Sequence, residues 1–376
     1  MSAVDFLKPL IEFPTVSCDS NVEVSRWLED QLKSLAFETE WLEYTDPAGV
    51  KKACVSGRLG PAGEGWAHFS HTDVVPVRSW SFPKAGPWTP HVTDDRLYGR
   101  GSCDMKGSLA CALAAAAQFG NRKLTRPFYI VSTADEEVGL GGAEQVAERS
   151  PIFREIVESR SRAIIGEPTR MEVVHGHKGG QGMKIVSRGV AAHSSTGEGL
   201  NANLAMIPFL NDLRQLCLSA ERDENWRDDR FDPPHICMNI GINDHTHALN
   251  ITAPQSVCTV YFRVMPRQDG DVLTRQIEQL AKQHGLEFEI QFQCKALFTD
   301  PDSEFVRELL TITGSSSSRT VGYGTDGGRF TEIGRMVVLG PGDIRQAHTD
   351  DEWVSLDQLQ RGTDLYSTLI ERWCLG

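Results

Sequence analysis

The side chains best suited to chemistry in this sequence lie where predicted strands end. His71 closes a run with strand propensity that begins near Gly65, and Asp73 follows two residues later. In an extended segment, residues i and i+2 point to the same side, so the Asp73 carboxylate can reach the His71 ring. Metal-binding histidines use such a carboxylate to fix the tautomer of the ring. A single His-x-Asp triplet is equally compatible with a solvated loop, so the other strand ends decide between the two interpretations.

Acids and a second histidine lie at the ends of further predicted elements. They are Asp104 before the Ala-rich helix 108–119, Asp135-Glu136-Glu137 after the buried-type strand 128–134, Glu167 after the strand 163–166, and His348 after the strand 336–339. Each alone has an ordinary explanation, since a carboxylate at a helix N-terminus such as Asp104 is favoured simply as a cap. Successive acids after a buried strand are unfavourable unless cations or solvent compensate their charge.

Together these residues offer imidazole and carboxylate ligands and no thiolate. That mixture suits zinc, cobalt or manganese, and the lack of cysteine among them argues against a structural zinc site. Five ligand-bearing ends exceed the three protein groups and one water of a single catalytic zinc, so two metals ~3.5–4 Å apart that share a carboxylate fit better. Glu136 and Glu137 are adjacent and could divide the roles of ligand and general base.

The elements that must position these residues form two patterns. Alternating helices and strands in the outer segments predict an α/β domain with a mixed, mostly parallel sheet, whose ligands collect beyond the carboxyl ends of the strands. A later β-α-β-β-α-β order predicts an inserted antiparallel α+β domain of ferredoxin-like type. We therefore expect a catalytic metal-binding domain over 1–176 and 295–376, interrupted by the inserted domain over 177–294.

Composition excludes several classes of function. The chain has 376 residues, enough for two compact units, with 40% apolar and 24% charged residues. Its net charge of -13 argues against nucleic acid and an anionic membrane surface as partners. No stretch approaches the ~18 apolar residues of a membrane span, and the N-terminus is typical of a first helix rather than a signal peptide. Nine cysteines without Cys-x-x-Cys spacing indicate reduced thiols, so we expect a cytoplasmic enzyme.

Motifs along nearly the whole chain carry a family resemblance. They are His71-Thr72-Asp73-Val74-Val75-Pro76, Tyr98-Gly99-Arg100-Gly101 with Asp104-Met105-Lys106-Gly107, Asp135-Glu136-Glu137-Val138-Gly139, Gly166-Glu167-Pro168-Thr169 and the late His348. In this order they resemble the dinuclear zinc amidohydrolases and exopeptidases that include acetylornithine deacetylase, succinyl-diaminopimelate desuccinylase and the aminoacylases. Several separated motifs in the right order are far more specific than any one of them alone.

The resemblance implies a cofactor of two divalent metal ions, zinc in the first place, with cobalt or manganese as alternatives. His71 and Glu167 would hold one ion, Glu137 and His348 the other, and Asp104 would bridge them. All of these ligands would come from the catalytic domain.

The resemblance also implies the catalytic roles. Asp73 would orient His71, and Glu136 would be the general base for a metal-bridging water that attacks the amide carbonyl. The inserted domain would be a lid and the dimerisation domain of a homodimer. Its His193, in Ala191-Ala192-His193-Ser194-Ser195, would stabilise the oxyanion, in its own subunit's site or in that of the partner subunit.

Local motifs favour the acetylornithine deacetylase branch. This implies that the small-molecule substrate is N-acetyl-L-ornithine, hydrolysed to L-ornithine and acetate in arginine biosynthesis. The residues that match substrate-binding positions in relatives are Lys178, Asn250, Arg263 and Thr325, and surface ion pairing explains the polar ones equally well. The match is poor over 245–248, so the far end of the substrate is expected to be recognised differently here.

Two further classes of function stay open. The chain could be a desuccinylase, an aminoacylase or a dipeptidase of the same family. It could also be a metal-binding scaffold that has lost its activity. Retention of every ligand type together with Glu136 argues against the scaffold.

Overall fold

A computed structural model describes residues 1–120, 122–246 and 248–375 of the chain. The chain divides into two compact units. Unit 1 contains Met1–Gly176, Phe298–Arg319 and Thr325–Gly376, and unit 2 contains His177–Leu297 and Thr320–Gly324. The catalytic, lid and dimerisation roles expected for the two parts of the chain stay predictions. Of the poorly matching stretch 245–248, His247 lies outside the described residues.

The secondary structure of the described residues alternates helices and strands. The helices are α1 (Ala3–Glu12), α2 (Val22–Ser34), α3 (Lys106–Ala117), α4 (Gly141–Arg149), α5 (Pro151–Glu158), α6 (Ala202–Arg222), α7 (Gly270–Gln283), α8 (Glu304–Thr313) and α9 (Leu356–Cys374). The strands are β1 (Glu38–Thr45), β2 (Lys51–Leu59), β3 (Trp66–His71), β4 (His91–Val92), β5 (Arg96–Tyr98), β6 (Phe128–Thr133), β7 (Arg162–Ile165), β8 (Val174–His177), β9 (Gly180–Arg188), β10 (Met238–Asn243), β11 (Gln255–Phe262), β12 (Glu287–Cys294), β13 (Leu297–Phe298), β14 (Arg319–Val321), β15 (Met336–Val338) and β16 (Trp353–Ser355). Within the described part of the chain, no helix combines the length and apolar character needed to cross a membrane.

The large sheet has a parallel centre. Its strands follow the order β1-β2-β6-β3-β7-β15-β8-β13, and β14 also pairs with β8. Strands β6, β3, β7 and β15 run parallel to their neighbours in this group, whereas β1, β2 and β8 pair antiparallel on its flanks. Strands β3 and β6 are buried along their whole length, as expected for parallel strands covered on both faces. The predicted α/β fold with a mixed sheet is therefore confirmed.

Helix α3 is the centre of the unit 1 core. It is buried over Lys106–Ala116, because an Ala-rich helix is apolar on all sides and small enough for close packing. The surrounding core includes Leu10 of α1, Trp66 of β3 and Leu369 of α9. The helix begins at Lys106 rather than at 108, so its first turn follows Asp104 almost directly.

Unit 2 has its own antiparallel sheet and core. The sheet order is β10-β11-β9-β12, and the chain order is β9-α6-β10-β11-α7-β12. This combination confirms the ferredoxin-like α+β prediction. Met206 and Phe209 of α6 and Ile277 of α7 belong to the core of this unit. Helix α6 extends to Arg222, and Ala220 continues its buried face into the last turns.

Candidate metal centre

Three neighbouring parallel strands of unit 1 deliver candidate ligands to one edge of the sheet. His71 is the last residue of β3 and pairs with Thr133, the last residue of β6. Strand β7 pairs with β3 on its other side. Because the carboxyl ends of parallel strands meet at one edge, the residues that follow β6 and β7 lie beside His71. These residues are Glu136, Glu137 and Glu167.

The structure brings the predicted metal ligands together. His71 Nε2 lies 3.2 Å from Asp104 Oδ1 and 3.7 Å from Glu167 Oε1. His348 Nε2 lies 3.3 Å from Asp104 Oδ2 and 3.1 Å from Glu137 Oε1. Asp104 therefore lies between two imidazoles, as expected for a carboxylate shared by two metals.

Ligand atoms in the cluster form two overlapping groups. In one, His71, Asp104 and Glu137 have potential ligand atoms within 4.8 Å of one another. In the other, the same holds for His71, Glu136 and Glu167. The predicted general base Glu136 thus lies in the same cluster as the predicted ligands.

Asp73 contacts both His71 and the turn that carries the two glutamates. His71 Nδ1 donates to the main-chain oxygen of Asp73 at 2.9 Å, while the Asp73 carboxylate is 3.5 Å from that nitrogen. The carboxylate accepts from the N–H groups of Glu136 at 3.1 Å and Glu137 at 3.3 Å, and from the Ser17 hydroxyl at 2.6 Å. Because a carbonyl only accepts, Nδ1 of His71 carries a proton, and loss of the second proton from Nε2 would leave a lone pair that faces the cluster.

Opposite charges in the cluster favour the ionised forms of three residues. Burial disfavours the imidazolium of His71, but its contacts with Asp104 and Asp73 outweigh this and raise its pKa well above the usual value. Burial also opposes the charge of Asp104, yet contacts with His348 and His71 lower its pKa. Contacts with Asp104 and Glu137 raise the pKa of His348 to about 10.

In the three glutamates of the cluster, the surroundings favour the neutral form instead. Burial raises the pKa of Glu136 and of Glu167 well above the usual value, and neighbouring carboxylates add to the effect. The pKa of Glu137 is also raised, first by burial and then by Asp104. Buried carboxylates crowded in this way need more positive charge than the two histidines provide, and bound divalent cations supply such charge.

The residues present fit divalent metal ions. The donors are imidazole nitrogens and carboxylate oxygens, which suit zinc, cobalt or manganese. The Nδ1 hydrogen bond of His71 is the contact by which proteins orient a metal-bound imidazole. The side chain of His348 is 52% exposed, so this end of the cluster is open to a small molecule from solvent.

Two buried acids near the cluster are not predicted from the sequence. Asp326 accepts from the Thr133 hydroxyl at 2.5 Å, and burial raises its pKa to about 7. Glu352 accepts from the main chain of the loop that carries Asp104. Single acids in loops have no periodicity to distinguish them, and the Gly-rich stretch 322–328 is the only signal that marks Asp326.

Two of the predicted substrate contacts are buried. In unit 1, Thr325 begins a short 3₁₀ turn, and its hydroxyl accepts from the Gly327 N–H at 3.0 Å. In unit 2, Lys178 Nζ donates to the main-chain oxygen of Pro233 at 2.6 Å, and burial lowers the pKa of Lys178. Their roles towards a substrate stay predictions.

The other predicted residues of unit 2 are more accessible. Arg263 is half-buried, with its guanidinium 5.1 Å from the centre of the Tyr261 ring. Asn250 is exposed, and its main-chain oxygen accepts from the Ser194 N–H at 2.9 Å. His193 is also exposed, with Nδ1 2.7 Å from the Ser195 hydroxyl. No contact of these side chains in the described residues tests their predicted roles.

Comparison with known proteins supports the family that the motifs resemble. The sequence model of peptidase family M20/M25/M40 matches residues 68–372. An acetylornithine deacetylase of Myxococcus xanthus is 32% identical over 98% of this chain and 97% of its own length. An M20 family metallo-carboxypeptidase of Sulfolobus solfataricus superimposes with a TM-score of 0.77 at 16% identity, over 99% of each chain. A dinuclear metal-binding M20 peptidase of Bacillus subtilis superimposes with a TM-score of 0.63 at 13% identity, over 98% of this chain and 96% of its own.

The family match covers the whole candidate site of unit 1. It begins three residues before His71 and continues past His348, so every candidate ligand lies inside it. The two solved structures share the fold over nearly the full length. The chain belongs to peptidase family M20/M25/M40.

Proposed function

We propose that this protein is a metal-dependent amidohydrolase that cleaves N-acetyl-L-ornithine to L-ornithine and acetate. The observation that carries the proposed chemistry is the cluster in which the buried Asp104 lies between His71 and His348. The substrate is supported by the relative from Myxococcus xanthus that bears the name acetylornithine deacetylase and is 32% identical over nearly the full chain. Arginine biosynthesis is the pathway that this reaction implies.

The cluster is proposed to hold two divalent metal ions, with zinc first and cobalt or manganese as alternatives. Its ligands would be His71 and Glu167 for one ion, Glu137 and His348 for the other, and Asp104 for both. Bound divalent ions of this kind lower the pKa of water and polarise a carbonyl group. The dinuclear metal-binding peptidase of Bacillus subtilis with the same fold supports a pair of ions.

Glu136 is proposed to move the proton. Burial and nearby carboxylates raise the pKa of Glu136, which suits a group that takes a proton from the attacking water and then gives it to the leaving amine. The Asp73 carboxylate holds the Glu136 main chain through its N–H at 3.1 Å, so the base belongs to a fixed turn. Attack of water on the acetyl carbon breaks the amide C–N bond and yields acetate and the free amine.

His193 is proposed to stabilise the oxyanion. The Ser195 N–H donates to His193 Nδ1 at 3.3 Å, so Nδ1 is an acceptor and the neutral ring carries its proton on Nε2. An N–H of that kind is a suitable donor to a developing negative oxygen. Lys178, Asn250, Arg263 and Thr325 are proposed to bind the substrate through its carboxylate and polar groups.

The protein is proposed to form a homodimer through unit 2. Strand β10 is at the edge of its sheet, and Ile242 on that strand is 62% exposed. On α6, Leu204 and Ile207 are 67% and 59% exposed. An edge strand with exposed apolar side chains is a surface that another chain can cover.

Light scattering tests the proposed dimer. The wild type should have the mass of two chains, and Leu204→Glu should shift it towards one chain, because a buried charge opposes association. Val272→Glu, on an exposed position of α7 in the same unit, is the matched control and should leave the dimer intact. A monomeric wild type, or a dimer unaffected by Leu204→Glu, would contradict this interface.

A substrate panel tests the proposed reaction. The protein loaded in turn with zinc, cobalt and manganese is assayed with N-acetyl-L-ornithine, N-succinyl-diaminopimelate, an N-acyl neutral amino acid and a dipeptide. The proposal predicts the highest kcat/KM for N-acetyl-L-ornithine. A higher value for another member would reassign the substrate, and no turnover of any amide by the metal-loaded protein would indicate an inactive scaffold.

A further inference from the structure

Glu352 is a buried carboxylate outside the proposed ligand set that binds the loop of Asp104. Its Oε1 accepts from the N–H groups of Cys103 at 2.8 Å and Asp104 at 3.0 Å. Its Oε2 accepts from the N–H of Gly101 at 3.0 Å and from Arg100 Nη1 at 2.7 Å. The relative exposure of Glu352 is 0%, so these donors replace all of the water that an exposed carboxylate would bind.

The main chain around Glu352 is joined to the same loop. The main-chain oxygen of Glu352 accepts from the Gly99 N–H at 3.0 Å. The next residues, Trp353–Ser355 of β16, pair antiparallel with Arg96–Tyr98 of β5. Hydrogen bonds and strand pairing therefore join the segment just before Asp104 to the segment just after His348.

An ordinary buried ion pair explains only one of these contacts. Arg100 compensates the charge of Glu352, and that pairing needs one carboxylate oxygen. The three remaining bonds go to consecutive parts of one loop, and the last of them fixes the main-chain N–H of Asp104 itself. Hydrogen bonds to a charged acceptor are shorter and stronger than neutral ones, so this loop has little freedom to shift.

We propose that Glu352 is a positioning residue for the metal centre, which sets the place of the Asp104 carboxylate relative to His348. The proposal rests on the proposed function of Asp104 as the shared metal ligand. Asp104 Oδ2 lies 3.3 Å from His348 Nε2, and a shift of the loop changes this separation directly. Groups that orient ligands in this way typically change metal affinity 10–100-fold when they are removed.

Metal titration of the apo-protein tests the proposal. The variant Glu352→Gln keeps the size of the side chain but replaces one acceptor oxygen with an NH₂ group that faces main-chain N–H donors. We expect zinc to bind at least one of the two sites about 10–100-fold more weakly than in the wild type. Added zinc should then restore part of the lost turnover.

The matched control is Glu155→Gln in the same unit. Glu155 accepts from Arg58, from the Gly63 N–H at 3.2 Å and from the Tyr129 hydroxyl at 2.6 Å, and none of these three partners lies on a loop that carries a candidate ligand. It should lower Tm without a change in zinc affinity. Should Glu352→Gln fail to fold, Glu352→Asp retains the charge beside Arg100 but is too short to reach all four donors, and it should also weaken zinc binding.

The outcomes separate the two proposals. A wild type that binds no pair of zinc ions would contradict the proposed function. If the wild type binds two and the folded Glu352 variants bind them with unchanged affinity, Glu352 has only a structural role, and the positioning proposal is overturned.

Discussion

Units 1 and 2 present their candidate functional groups in opposite ways. In unit 1, His71, Asp104 and Glu137 are held within a few ångströms of one another by neighbouring strands and by buried hydrogen bonds. In unit 2, His193 and Asn250 are exposed, and the Ser194 N–H donates to the Asn250 main-chain oxygen at 2.9 Å. Both units nevertheless carry residues from motifs of the same family.

The difference indicates which candidate functional groups have a fixed geometry. A cluster of buried charges is stable only when each member has defined partners, so its geometry is strongly constrained by the surrounding fold. Exposed loop residues are free to change position when a ligand or a partner chain arrives. We therefore expect substitutions in unit 1 to abolish metal binding or chemistry, and substitutions in unit 2 to reduce turnover while the metal centre stays intact.

The largest effect is expected for Glu136 in unit 1. Glu136→Gln should lower kcat by about 10²–10⁴-fold or more, because the amide cannot carry the proton from water to the leaving amine. Its metal content should remain at the wild-type level. The adjacent variant Glu137→Gln is the contrast, since it should lose metal as well as activity. Loss of metal in Glu136→Gln would make Glu136 a ligand, and near-normal turnover would remove it from the mechanism.

A smaller effect is expected for His193 in unit 2. Loss of one oxyanion donor typically lowers kcat by about 10²–10³-fold, so His193→Ala should do the same with unchanged metal content. His284→Ala is the matched control, because His284, directly after α7, pairs at 2.8 Å with Asp212 of α6 in the same unit. Steady-state kinetics and metal analysis of both variants check this. Equal activity of His193→Ala and the control would contradict the proposed role.

The positions of the candidate ligands at the strand ends of unit 1 could be predicted because parallel strands end at one edge of a sheet. The positions of His71, Glu137 and Glu167 follow once the three strands before them are assigned correctly. The apolar runs that form these strands, β3, β6 and β7, are clear in the sequence. The ferredoxin-like order of unit 2 could be predicted for a related reason, since its helices and strands have regular apolar periods.

The contacts that complete the site could not be predicted in the same way. Asp104 meets His348 because the three-residue strands β5 and β16 pair, and strands of that length have no distinctive period. The Asp73 carboxylate lies 3.5 Å from His71 Nδ1, within reach of the ring as the i, i+2 spacing suggests. Its additional bonds to the Glu136 and Glu137 N–H groups, which come from the end of another strand, could not be predicted from that spacing. Such contacts depend on tertiary packing rather than on local pattern.

The smallest expected effect is on the pH dependence of folding stability, and it involves one buried histidine in each unit. Burial lowers the pKa of His68 in unit 1 to about 3 and that of His177 in unit 2 to about 4. In the unfolded chain each takes up a proton near pH 6.5. Between these values the unfolded state binds more protons, so the stability that each neutral histidine contributes is complete above about pH 6.5 and decreases as the pH falls.

Urea unfolding at two pH values measures this dependence. Each histidine should account for about 1.4 kcal/mol of the stability lost between about pH 7.5 and pH 5.5. The variants His68→Asn and His177→Asn should each reduce the loss by about that amount, although the first also changes a contact with Ser108 at 3.0 Å. An unchanged pH dependence in both variants would contradict the neutral state of these rings.

The central claim is that one cluster of histidines and acids in unit 1 is a two-metal site organised by Asp104. Elemental analysis of the protein after dialysis against zinc, with Asp104→Asn beside the wild type, tests it most directly. We predict about two zinc ions per wild-type chain, and one or fewer in Asp104→Asn because a neutral amide is a poor shared ligand. A wild type without bound metal, or an Asp104→Asn variant that still holds two ions, would contradict the assignment.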